Sequence, residues 1–99
     1  MKRADARTQT SRVMAPIPEA VVRARELNWG VFVDAFIDGA ARVGDRFTGH
    51  VYFDGSGASN DGMVVVTPPV DIVKSLDGFK LLRSQGAEDY YVLCSLMEA

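Results

Sequence analysis

The stretch Trp29-Gly30-Val31-Phe32-Val33-Asp34-Ala35-Phe36-Ile37-Asp38-Gly39-Ala40-Ala41-Arg42 decides how the chain is read. Trp29, Phe32, Val33, Phe36, Ile37 and Ala40 fall at the i, i+3, i+4, i+7, i+8 and i+11 positions of one helical face. Asp34, Asp38 and Arg42 occupy the other side at four-residue steps, which suits a solvated face with an Asp38–Arg42 pair. As a strand, the same residues would place Phe32, Asp34, Phe36 and Asp38 together, a poor amphipathic pattern. The spacing therefore predicts a helix from Trp29 to Arg42, with Asn28 as N-cap and Gly44 as C-terminal stop. Gly30 and Gly39 weaken it by up to about 1 kcal/mol each. Gly39 has a second reading, as a point where another backbone comes close.

Upstream, Pro18 to Leu27 reads as a first helix, with Ala20, Val21, Ala24 and Leu27 on one side and Glu19 in the first turn. Its stripe is out of phase with the one after Asn28, so a kink or break is expected there. Residues 1–15 lack an apolar period and read as a flexible basic tail, leaving 16–99 as a single domain.

Downstream of Gly44 the period changes from 3.6 to 2. Phe47, Gly49, Val51 and Phe53 alternate with Thr48, His50 and Tyr52 as a half-buried strand. Asp54 to Gly62 is a polar, glycine-rich loop, and Met63 to Val66 an apolar run taken as a more buried strand. Thr67-Pro68-Pro69 interrupts pairing, since neither proline donates to a ladder. Val70 to Leu76 divides between strand and short helix; the Asp77-Gly78 turn signal and the strand Phe79–Ser84 behind it favour strand. After a turn at 85–89, Tyr90 to Met97 is apolar on both faces, the mark of a central strand. The expected fold class is α+β: an N-terminal helix, or kinked helix pair, packed on a four- to five-stranded antiparallel meander, open or half-rolled.

With 99 residues, 47% apolar and 24% charged, the chain has the make-up of one ordinary globular domain. The single cysteine, Cys94, has no internal partner, which suits a reducing compartment. No run reaches the ~20 apolar residues of a membrane span, and the basic first ten residues are not followed by a signal-like apolar core. The cytoplasm is the expected location. The net charge of −2 is uneven. Residues 1–25 carry Lys2, Arg3, Arg7, Arg12, Arg23 and Arg25 against Asp5 and Glu19, and the remainder is acidic.

No catalytic, metal or cofactor constellation emerges from these residues. The Asp54–Gly62 loop departs from a calcium loop at Ala58, Ser59 and Val65 and from a dinucleotide fingerprint at Asn60, and it leads into a strand where a phosphate loop needs a helix. His50 and Cys94 would be the only thiol–imidazole pair, and alternation sets them on different strand faces; a thiol-dependent enzyme is thus the least favoured class. What packing leaves over is the polar loop and a His50, Tyr52 and Thr48 face, extended by Tyr90 or Tyr91. Tyrosine is favoured at protein interfaces, so His50, Tyr52, Asp54, Ser56, Ser59, Asn60 and Asp61 form the expected partner-binding set.

The expected function is a small non-enzymatic protein–protein interaction or regulatory module, an inhibitor or accessory subunit, with another protein as partner. Homodimerisation through Trp29 or the Met63–Val66 edge is a variant of that reading. The alternative is a small nucleic-acid-binding protein using Lys2, Arg3, Arg7 and Arg12, although no aromatic residue is interleaved with them.

Overall fold

The computed structural model describes residues 16–86 and 88–97. The basic tail, with Lys2, Arg3, Arg7 and Arg12, lies outside them. One short helix, α1 (Glu19–Arg25), precedes six strands: β1 (Ala35–Val43), β2 (Arg46–Tyr52), β3 (Val64–Val66), β4 (Val70–Leu76), β5 (Phe79–Ser84) and β6 (Tyr90–Leu93). They form one mixed sheet in the order β3-β2-β1-β6-β5-β4. Two antiparallel meanders, β1-β2-β3 and β4-β5-β6, meet along a parallel β1–β6 seam.

The expected Trp29–Arg42 helix is therefore corrected to a connector followed by a strand, and the all-antiparallel meander to a mixed six-stranded sheet. The composition gives the reason: Val31, Phe32, Val33, Phe36 and Ile37 are β-branched or aromatic, residues that fit a pleated surface better than a helix. β1 lies between β2 and β6 and is buried on both faces, so it shows no simple alternation. A bulge also breaks its phase. Asp38 faces His50 and Ala41 faces Thr48, leaving Gly39 and Ala40 opposite Gly49 alone, with Gly39 at φ +60. The bulge separates Asp38 from Arg42. Asp38 accepts a hydrogen bond from Ser95 Oγ at 2.8 Å, while Arg42 stacks over Phe47 and donates to Gly44 O. The expected Asp38–Arg42 pair gives way to these contacts.

Each face of the sheet carries its own core. On one, Phe36, Tyr52, Leu81, Val92 and Cys94 are covered by Val21 and Ala24 of α1 and by Trp29. Trp29 is buried, and its indole N–H donates to Ala24 O at 2.9 Å, reinforcing a helix-end carbonyl that otherwise has only the long 3.3 Å bond from Leu27 N. Trp29 is thus no dimer surface. On the other face, Ala35, Ile37, Phe47, Val51, Leu82 and Leu93 pack together, with no helix over them among the described residues.

That second face is closed by curling. Laid flat, six strands at about 4.8 Å spacing would hold β3 and β4 about 24 Å apart. The link between Val66 and Val70 is only Thr67-Pro68-Pro69, a reach of about 14 Å. The sheet must roll. The link is also pinned at both sides: Thr67 N donates to Phe47 O, Phe47 N to Thr67 Oγ1, Val70 N to Asp45 O and Gln85 N to Pro69 O, all between 2.8 and 3.0 Å. Thr67 is a buried polar residue with its hydroxyl fully engaged, also donating to Pro68 O at 2.8 Å.

Gly49 shows how tightly the bulge is packed. A Cβ there would meet Ile37 Cγ2 at 2.8 Å, Asp38 O at 2.9 Å and Ala40 Cα at 3.1 Å. Overpacking of that kind costs about 1–3 kcal/mol, so Gly49→Ala is expected to lower the urea midpoint clearly. At Gly86 a Cβ meets nothing within 4 Å, and Gly86→Ala is expected to be neutral or slightly stabilising. Equal effects of the two substitutions would contradict the bulge packing.

Candidate protein-binding site

The curl leaves a trough along the helix-free face. Its cavity has a volume of about 260 Å³. Ala35 and Ile37 of β1 and Val51 of β2 line it between Val65 of β3 and Tyr91 of β6. The sheet order places Val65 and Tyr91 on its two sides. Thr67 and Pro68 line one end, and Asp54, Ser56 and Ser59 supply the polar part of its rim.

The Asp54–Gly62 loop is internally bonded. Asp54 Oδ1 accepts from Ser56 N and Ser56 Oγ, and its Oδ2 from Ser59 N, at 2.8 to 3.0 Å. These bonds, led by the one from the Ser56 side chain, hold the Asp54 carboxyl below its ordinary range, so it stays anionic near neutral pH. Asp61 Oδ1 accepts from Phe53 N at 2.9 Å, stabilising the positive φ of 56° at Phe53. Gly55 N donates to Asp34 O, and the Asp34 carboxylate accepts from Tyr90 N, both at 2.8 Å. The loop is thereby tied to the start of β1 and to β6. Tyr91, beside the trough, has its hydroxyl pushed up by burial and then by the charges of Asp89, Asp34 and Asp54. That rim is electronegative.

The expected partner set divides. Asp54, Ser56 and Ser59 share the trough. Asn60 and Asp61 serve the loop's own turn, with Asn60 N contacting Met63 Sδ and Asn60 O accepting from Met63 N. Tyr52 is buried in the helix-covered core, so the expected exposed His50–Tyr52 platform is corrected to a half-core strand. Burial, then the charges of Asp38 and Asp61, raises the Tyr52 hydroxyl. His50 remains exposed on that same face, its Nδ1 3.1 Å from Gly62 O.

The face assignment of His50 and Cys94 is also corrected. Both lie on the helix-covered side, because His50 pairs with Asp38 and Cys94 N bonds Ile37 O next to it. Asp38 stands between the two strands that carry them. Cys94 is nonetheless a core thiol, buried and pushed up to about 12, by burial first and by the Asp38 charge second. It remains protonated at neutral pH, with Sγ 3.8 Å from Val92 O. Among the described residues no group of three or more His, Cys, Asp and Glu side chains is placed to hold a metal.

Sequence reasoning misjudged β3. The run Met63–Val66, expected to be a more buried strand, is an edge strand, with Val64 and Val66 65% and 61% exposed. The shortness of Thr67-Pro68-Pro69 was the available signal for the trough: a link that brief cannot join opposite edges of a flat sheet. No protein-family model matches the sequence, and no curated protein or solved structure matches the chain.

Two outcomes follow from the titrating groups. Native Cys94 should react with a thiol reagent at pH 8 at least a hundred-fold more slowly than the urea-unfolded chain; comparable rates would contradict its burial. For Asp54 the folded-state value is depressed, so its stabilising effect is complete above the ordinary carboxylate range and fades as pH falls through the folded value. The stability gap between wild type and Asp54→Asn should accordingly narrow between about pH 6 and about pH 3. A gap independent of pH would show that the Ser56 and Ser59 bonds do not favour the anion.

Proposed function

We propose that this chain is a small non-enzymatic protein-binding module, an inhibitor or accessory subunit, acting in a reducing compartment such as the cytoplasm. One observation carries the reading: an uncharged edge strand with two exposed valines stands beside an open apolar trough with an electronegative rim. Polar loops and edges held on a rigid sheet are where partners bind. The trough supports a protein partner over a cofactor. Its volume of about 260 Å³ falls below the ~300–1,000 Å³ of small-molecule sites and suits one or two side chains. The lone buried Cys94 supports the compartment, and among the described residues no helix is long and apolar enough to cross a membrane.

Site-specific photo-crosslinking in the native host tests the reading. Crosslinkers replacing Val66 or Ser56 should each yield one discrete protein adduct, and the same group at Asp77, on the far β4–β5 turn, should yield none. The reading fails if all three positions crosslink alike or not at all. It also fails if the adducts are nucleic acid and vanish when Lys2, Arg3, Arg7 and Arg12 are replaced by alanine.

A further inference from the structure

The two edges of the sheet are unequally guarded. β4 carries a bulge, with its register shifting between Ile72 and Lys74, and it exposes Asp71 and Lys74. Bulges and edge lysines discourage the addition of another strand. β3 has neither: Val64-Val65-Val66 is uncharged, unbulged and free of proline, limited only by its length.

The hydrogen-bond phase of β3 shows what that edge offers. Val51 N donates to Met63 O and Thr67 N donates to Phe47 O, so odd-numbered residues turn their backbone groups toward β2. By alternation, the N–H and C=O of Val64 and Val66 turn outward, away from β2. Side chains alternate independently. Val65, paired with Gly49, lies on the trough side, whereas Val64 and Val66 share the opposite face with His50 and Thr48. A strand added along β3 would bond to Val64 and Val66 through its backbone. Its residue opposite Val65 would place a side chain in the trough.

From this phase we infer that β3 accepts an extended segment of another protein by strand addition, with an apolar side chain seated against Val65, Ile37 and Tyr91 and a neighbouring Lys or Arg facing Asp54. The apolar anchor follows from the trough's lining. The cation follows from charge complementarity: Asp54 lines the rim, Asp34 and Asp89 lie close enough to act on Tyr91, and among the described residues no cationic side chain lines the cavity. Backbone bonds would supply sequence-independent affinity, and the trough and carboxylate the selectivity. The assignment rests on the protein-binding reading above and deepens it.

Panning the full-length protein against a phage-displayed library of random heptapeptides provides the probe. Enriched peptides should carry an apolar residue with Lys or Arg within two positions. Saturation with a synthetic copy of the most enriched one should slow amide exchange at Val64 and Val66 at least ten-fold. Val64→Pro removes an outward N–H that β2 does not use and should weaken binding at least ten-fold. If Val64→Pro lowers the melting temperature, Val66→Lys makes the same test by opposing a basic segment through an exposed side chain. Asp54→Asn should weaken binding several-fold, more so at low salt, and Asp77→Asn should leave it unchanged. The assignment is overturned if no peptide is enriched, if enriched peptides are acidic, if protection appears on β4, or if Val64→Pro instead converts a dimer to a monomer, making a second copy the occupant. Discrete adducts at Val66 and Ser56 that persist in Val64→Pro would sink strand addition while leaving the interaction module standing. Loss of those adducts from the wild type would remove both.

Discussion

The rest of the structure depends on a constraint of length: three residues, Thr67-Pro68-Pro69, join the two opposite edges of a six-stranded sheet. A flat sheet cannot satisfy that link, so the sheet rolls about its helix-free face. Rolling brings the Asp45 carbonyl to Val70 and the Pro69 carbonyl to Gln85, and it buries the Thr67 hydroxyl between β2 and the link. The prolines suit the position because the strap's bonds use Thr67 N and the Pro69 carbonyl, so the missing N–H groups of Pro68 and Pro69 break none of them. From the same curl come a core that no helix covers among the described residues and a trough whose side is an edge strand.

The two cores divide the work. Helix α1, too short to be stable alone, is held by the burial of Val21 and Ala24 and by the indole of Trp29 on the Ala24 carbonyl. Arg25 over Phe53 at 4.1 Å and Arg23 over Phe79 fasten the same side. The helix-free face is left to close upon itself, and there the structure keeps an opening. In physical terms the helix side stabilises the domain and the rolled side presents a surface.

Much of the β half was legible in the sequence because a glycine or proline stands shortly before each strand from β2 to β6. The Asp77-Gly78 signal correctly favoured a strand for Val70–Leu76. The two apolar faces of β6 mark it as central, and it lies between β1 and β5. The failure lay in Trp29–Arg42. There a connector and a doubly buried strand together imitate a helical stripe, and the bulge at Gly39 removes the alternation that would have given the strand away. Once that segment is a strand, the parallel pairing with β6 and the sixth strand follow. The site was legible in its polar half, through Asp54, Ser56 and Ser59. Its apolar half was hidden because Ala35 meets Tyr91, and Ile37 meets Val51, only once β1 is a strand paired with β6 and β2, which the helical reading of Trp29–Arg42 removes.

The curl is tested most directly by scalar couplings across individual hydrogen bonds in a deuterated, isotope-labelled sample. The account predicts resolved couplings from Val70 N to the Asp45 carbonyl carbon and from Thr67 N to the Phe47 carbonyl carbon, alongside those of the β1–β2 hairpin. Hairpin couplings present with the other two absent would mean that the link does not roll the sheet, and the account of the trough would be wrong.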